Sequence, residues 1–294
     1  MKTDFLDKYE YPFTSNYFTV NGSRLHYIDE GQGNTILFVH GTPSWSFDFR
    51  NVIKLLSPHY RCIAIDHIGF GLSDKPSNYD YSTKNHSETL VKFIEELKLD
   101  KITLVLHDFG GPIGLNYAVR FPEKVKQLVL LNTWMWSSAN EPEFIKFAKI
   151  LKSPLLPFLY LYLNFSSRFL LPKSFGANKL SKKLLTQYTR PFPNSNSRKG
   201  PLTFAKSLLN DQPWFEELWN QRGMIADKPT LFIWGMKDPF ITPKYLTKFQ
   251  SGFTSSKTIT LETCGHFPQE EQPALVGQAI LSFLESESKT EDLL

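Results

Sequence analysis

Cysteine is nearly absent: only Cys62 and Cys264 occur in 294 residues. Two thiols cannot build a disulfide framework, and their scarcity points to a reducing, cytoplasmic setting. Long apolar runs are missing too. The most apolar stretch, Leu155 to Phe165, is interrupted by Pro157 and is too short to span a bilayer. The first ten residues carry Lys2, Asp4, Asp7, Lys8 and Glu10 around no apolar centre, which excludes a signal peptide. Charge of neither sign dominates, with a net +4 and no basic run, so no nucleic-acid partner is expected. Internal repeats and low-complexity tracts are lacking as well. What is abundant is apolar substance, 41% of residues against 21% charged, enough for a sizeable core.

That apolar substance is distributed rhythmically. Tyr17 to Ile28 reads as two short strands around the turn pair Asn21-Gly22. Ile36–Val39, Cys62–Ile65, Ile102–Leu106 and Val125–Leu131 are apolar runs suited to strands covered on both faces. Helical spacing separates them, as in the segment from about Ser87 to Leu97. Alternating strands and helices imply a mostly parallel α/β sheet with right-handed crossovers. The rhythm stops from about Trp134 to Gln212, where Leu-, Phe- and Tyr-rich helical pattern is broken by Pro154, Pro157, Pro172, Pro191, Pro193 and Pro201. Such an apolar segment is an inserted helical cap, not a linker. The core is expected over residues 1–133 and 214–294 and the cap over 134–213. The rhythm returns with Thr230–Trp234 and Lys257–Leu261, and an amphipathic helix from about Pro273 to Leu284 precedes a polar tail expected to fray.

Three residues stand just past strand ends. Asp108 ends an apolar strand and precedes Phe109-Gly110-Gly111-Pro112, a glycine-rich opening to a helix. Glycines permit the close approach that such a turn demands, and proline suits a first helical turn. An N-cap would explain Asp108 alone, as a turn would explain Asp238 before Pro239, and a loop His266 after Gly265. Their order is nucleophile, acid, histidine, as in the α/β-hydrolase arrangement, and strand carboxyl ends are where open α/β sheets bind ligands.

Four motifs carry a family resemblance: His40-Gly41-Thr42-Pro43, Asp66-His67-Ile68-Gly69-Phe70-Gly71-Leu72-Ser73, His107-Asp108-Phe109-Gly110-Gly111 and Gly265-His266-Phe267-Pro268-Gln269-Glu270-Glu271. Together they resemble haloalkane dehalogenase-type α/β-hydrolases, relatives of the epoxide hydrolases and β-lactone decarboxylases. The resemblance covers nearly the whole chain. It implies an alkyl ester formed on Asp108 and hydrolysed by water that His266 activates, with Asp238 orienting the histidine. Thr42 and Phe109 would supply the oxyanion-hole amides. The substrate implied is a small apolar molecule, with water as co-substrate and no metal or organic cofactor.

One departure concerns the leaving group. Dehalogenases usually place an indole N–H beside the nucleophile, and here that residue is Phe109. Trp45, Trp134, Trp136 or Trp214 could replace the donor, and Tyr160, Tyr162 or Tyr188 could serve as acids in an epoxide hydrolase. Asn132 stands where one dehalogenase branch has its acid and cannot act as an anion. His40 and His107 are expected to support their loops. A ligand sensor on a hydrolase scaffold is the alternative outside enzymology.

Overall fold

A computed structural model describes residues 4–291. Asn21 and Gly22 both take positive φ, 50° and 75°, and so join β1 (Asn16–Val20) to β2 (Ser23–Glu30) as an antiparallel hairpin. The apolar runs form β3 (Thr35–Val39), β4 (Arg61–Ile65), β5 (Ile102–Asp108), β6 (Val125–Thr133), β7 (Thr230–Gly235) and β8 (Ser256–Leu261). One sheet results, in the order β1-β2-β4-β3-β5-β6-β7-β8. It is parallel from β4 to β8, and the hairpin adds an antiparallel edge.

Continuous apolar strands are explained by cover on both faces. Along β5, Leu104 and Leu106 join one core cluster and Val105 joins another; β6 divides Leu128 and Leu130 from Val129 and Leu131 in the same way. The first face is packed by α2 (Thr83–Glu96), α3 (Gly110–Arg120) and α10 (Pro243–Gly252). The second is packed by α1 (Arg50–Leu56) and α12 (Pro273–Glu291).

Between β6 and β7 run α4 (Pro142–Leu151), α5 (Leu156–Leu163), a π-helical turn (Ser166–Leu170), α6 (Leu171–Ser174), α7 (Lys182–Thr189), α8 (Lys199–Asn210) and α9 (Gln212–Asn220). Two of the prolines that interrupt this segment, Pro157 and Pro172, start helices, as do Pro142 and Pro213; all four occupy first turns, where no N–H bond is lost. Leu151, Leu156, Tyr160, Leu202 and Ala205 give the insertion its own small core, while α9 returns to pack on α3. The short α11 (Pro268–Glu271) follows the histidine loop.

Two boundaries depart from the sequence expectation. Helix α2 starts at Thr83 instead of near Ser87, because Ser82 caps it by accepting the Asn85 N–H at 3.3 Å. Helix α12 does not fray after Leu284. It continues to Glu291, with Glu287 paired to Lys257 at 2.9 Å. The last part of the expected tail, 292–294, lies outside the described residues.

Candidate active site

Asp108 is the last residue of β5 and adopts φ +51°, a conformation that costs an ordinary side chain energy. The turn is held by its surroundings. Thr133 Oγ1 donates to the Asp108 carbonyl at 2.6 Å and occupies the space a Cβ on Gly111 would need. A Cβ on Gly110 would strike the Val39 carbonyl, and one on Gly41 would strike the Asp108 carboxylate. These glycines let three strand ends converge.

The Asp108 carboxylate is buried and directed between two loops. Thr42 N–H donates to its Oδ1 at 2.7 Å, and His266 Nε2 stands 3.4 Å from its Oδ2. The other imidazole nitrogen, Nδ1, donates to Asp238 Oδ2 at 2.6 Å. Asp238 follows β7, and its Oδ1 accepts the N–H groups of Phe240 (2.8 Å) and Ile241 (3.0 Å). Burial works against charge on both members of this pair. It is outweighed: the imidazolium and those amides hold the Asp238 carboxyl below its usual range. For His266, burial is overcome by the charge of Asp238 and the hydrogen bonds to Asp108 and Asp238, and its pKa is pushed up to about 10. A carboxylate–imidazole–carboxylate line thus connects β7 to β5.

Around it stand supports, of which the sequence offered His40 and His107 but not Asn132 or Glu271. Asn132, at φ +30°, donates from Nδ2 to Asp238 Oδ2 (2.9 Å) and the Gly235 carbonyl (3.1 Å), and its Oδ1 accepts Gly235 N–H at 2.8 Å. It braces the acid instead of replacing it. His107 Nε2 donates to the His266 carbonyl at 2.7 Å, and His40 Nε2 accepts the His67 N–H at 3.0 Å. The histidine loop is also tied to the insertion: His266 N–H donates to the Ser174 carbonyl at 2.8 Å. Glu271 accepts Gly265 N–H (2.6 Å) and Gly176 N–H (3.0 Å) on one carboxylate.

A cavity of about 630 Å³ opens over Asp108, with Thr42, Phe109 and His266 on its floor and Phe147, Leu151, Tyr160 and Leu170 of the insertion on its wall. Of the four tryptophans only Trp134 lines it, its ring edge-on to Phe109 at 4.8 Å. The other three are corrected by the packing. Trp45 is fully buried and spends its indole N–H on the Gln187 carbonyl at 3.0 Å. Trp136 is locked among Trp219, Tyr245 and Phe249 in the core, and Trp214 packs beside Phe215. Of the three candidate tyrosines Tyr160 lines the cavity, which Tyr245 also borders. Tyr188 is buried and donates to Glu270, itself ion-paired with Arg50, and Tyr162 is 65% exposed.

Residues 34–273 match the alpha/beta hydrolase fold family. The chain is 34% identical to haloalkane dehalogenase 2 of Mycobacterium tuberculosis over 284 residues, 96% of this chain and 99% of that one. The chain belongs to the haloalkane dehalogenase-type α/β-hydrolases. Within this family it is equally similar, at 34% over 270 residues, to the cis-3-alkyl-4-alkyloxetan-2-one decarboxylase of Shewanella oneidensis, covering 88% of this chain and 85% of the relative. The solved structure of the haloalkane dehalogenase DatA from Agrobacterium tumefaciens superposes with a TM-score of 0.84 at 26% identity, over 97% of this chain and 99% of that one.

Proposed function

We propose that this hydrolase works through a covalent alkyl ester on Asp108, with His266 as base, Asp238 as its orienting acid and helices α4 to α8 as the cap over a small, largely apolar substrate. The observation that carries this is the 3.4 Å approach of His266 Nε2 to Asp108 Oδ2 while Nδ1 is held at 2.6 Å by Asp238. A carboxylate is already ionised at neutral pH and can attack carbon without prior deprotonation. Thr42 N–H holds Oδ1, so Oδ2 is the freer oxygen. It attacks, the carbon–leaving-group bond breaks, and its electron pair departs with the leaving group. Water then adds to the carboxyl carbon while Nε2 takes its proton. The amides of Thr42 and Phe109 stabilise the resulting oxyanion, and collapse of the adduct releases the alcohol and restores Asp108.

Esterification also switches the base on. One support of the high His266 pKa is the bond to Asp108, and that carboxylate loses its charge in the ester. The His266 imidazolium therefore becomes a stronger acid, and gives up its proton at lower pH, in the intermediate that needs a base. Rapid-quench kinetics should find alkylation insensitive to pH from about 6 to 8, with ester hydrolysis accelerating as pH rises through the lowered pKa. Identical profiles for the two steps would contradict this division.

For the leaving group, Trp134 Nε1, Tyr160 Oη and Thr42 Oγ1 belong to cavity-lining residues and have no hydrogen-bond partner among the described residues. Burial, and next the nearby Asp108 charge, keep the Tyr160 phenol protonated. Trp134 suits a halide. Tyr160 favours a second reading with an oxygen leaving group, as in an epoxide or a β-lactone.

The test is intact mass of a His266→Phe protein after exposure to 1-bromobutane, styrene oxide and a β-lactone in turn. A mass gain abolished by adding Asp108→Asn is expected, and the reagent that labels names the substrate class. Asp108→Asn alone should lose turnover by at least ~10⁴-fold. Full activity in that variant, without reversion to Asp, would sink the mechanism.

A further inference from the structure

The small net charge of the chain conceals a strong division. From Phe144 to Asn210 there are twelve Lys and Arg residues and no Asp or Glu. Against a total of +4, the remainder carries −8. The same segment holds the apolar surface of the molecule: seven of the thirteen exposed large hydrophobic side chains fall between Ile145 and Phe169. Leu155, Phe158 and Phe169 are each about half exposed, at 55%, 50% and 46%, and Phe158 stacks on Tyr162 at 5.4 Å. Lys146, Lys149, Lys152, Arg168 and Lys173 stand exposed among them, and none pairs with a carboxylate among the described residues.

We infer that the outer face of α4, α5 and the π-helical turn is a docking surface for an anionic phospholipid bilayer. Aromatic and aliphatic side chains beside unpaired cations match the interfacial zone, where rings enter the headgroup layer and ammonium groups meet phosphate. A second copy of this chain is a poorer occupant, because two net-basic faces repel. The inner face of the same elements lines the cavity with Phe147, Leu151, Tyr160 and Leu170. One layer of helix therefore separates lipid from the site, and an apolar substrate dissolved in the bilayer has a short path to Asp108. This inference goes beyond the chemistry proposed above and stands whatever the leaving group.

Flotation with phosphatidylcholine vesicles, with and without phosphatidylglycerol, tests it on the intact chain. Binding is expected only to the anionic vesicles and weakens as salt rises. Replacing Lys146, Lys149 and Lys152 by Gln should weaken it roughly a hundredfold, at about tenfold or less per cation. The control triple Lys84→Gln, Lys92→Gln, Lys101→Gln on the core should leave it unchanged. Phe158→Ser with Phe169→Ser should lower retention at high salt without altering turnover of a water-soluble substrate. Absence of binding at low salt, or equal loss in the control triple, overturns the proposal. So does lipid-free dimerisation in ultracentrifugation that the Phe158→Ser, Phe169→Ser protein loses, which would assign the face to a second copy.

Discussion

Burying a polar side chain costs free energy unless its hydrogens and lone pairs find partners, and Asn132 and His86 fall on opposite sides of that condition. Asn132 uses both ends of its amide on Asp238 and Gly235. Asn132→Leu should destabilise the protein by roughly 2–4 kcal/mol in urea unfolding, because a buried carboxylate and two backbone groups lose partners at once. His86 is buried among Tyr79, Tyr81, Phe70 and Phe204 with neither ring nitrogen bonded. His86→Phe should therefore raise stability by about 1 kcal/mol, and a loss would reveal a partner for that imidazole. Sequence was informative at this scale where topology alone places a residue. Asp108 ends a strand and Asp238 and His266 each follow one, so chain order brought them to one edge. The tryptophans could not be sorted that way. Trp45 and Trp134 both follow strand ends, yet one donates to Gln187 and the other faces the cavity, and only distant packing decides which.

At the scale of elements, the histidine loop and the insertion behave as one piece. Glu271, at the end of α11, accepts from Gly265 on one side and Gly176 on the other, while Ser174 holds His266 directly. Glu271→Ala should leave the alkylation burst intact and slow ester hydrolysis about tenfold, since the displaced group is the base. A slowed burst with normal hydrolysis would refute that role. Strands were legible because buried parallel strands announce themselves as unbroken apolar runs. Helix limits were less so. The first turn of α2 is polar, and the last turns of α12 carry a Lys257–Glu287 pair, neither of which shows as apolar periodicity.

For the whole molecule, buried titratable groups fix the response to acid. Burial holds His67 well below its ordinary pKa and pushes His86 and His107 down to about 3, while it pushes Asp48 up to about 8. Below pH 6.5 the unfolded chain binds these three histidine protons and the folded one does not; burial lowers His40 as well, and Asp48 offsets one proton. With at least two more protons on the unfolded state, stability should fall by roughly 3 kcal/mol or more per pH unit below the ordinary histidine pKa. Urea midpoints at about pH 6 and about pH 5, where His266 is protonated in both states, measure it, and equal midpoints would mean the histidines charge without unfolding. Global composition was a poor guide here, because summing charge over the chain erased the contrast between the acid-free stretch 144–210 and the acidic remainder.

The bond from His266 to Ser174 constrains how the molecule breathes. A segment anchored on His266 cannot swing away from that end without dragging the imidazole off Asp238 and Asp108. If His266 is the base proposed above, any opening that keeps the reacting groups in register leaves this anchor in place and falls to the opposite wall of the cavity, built by α4 and α5.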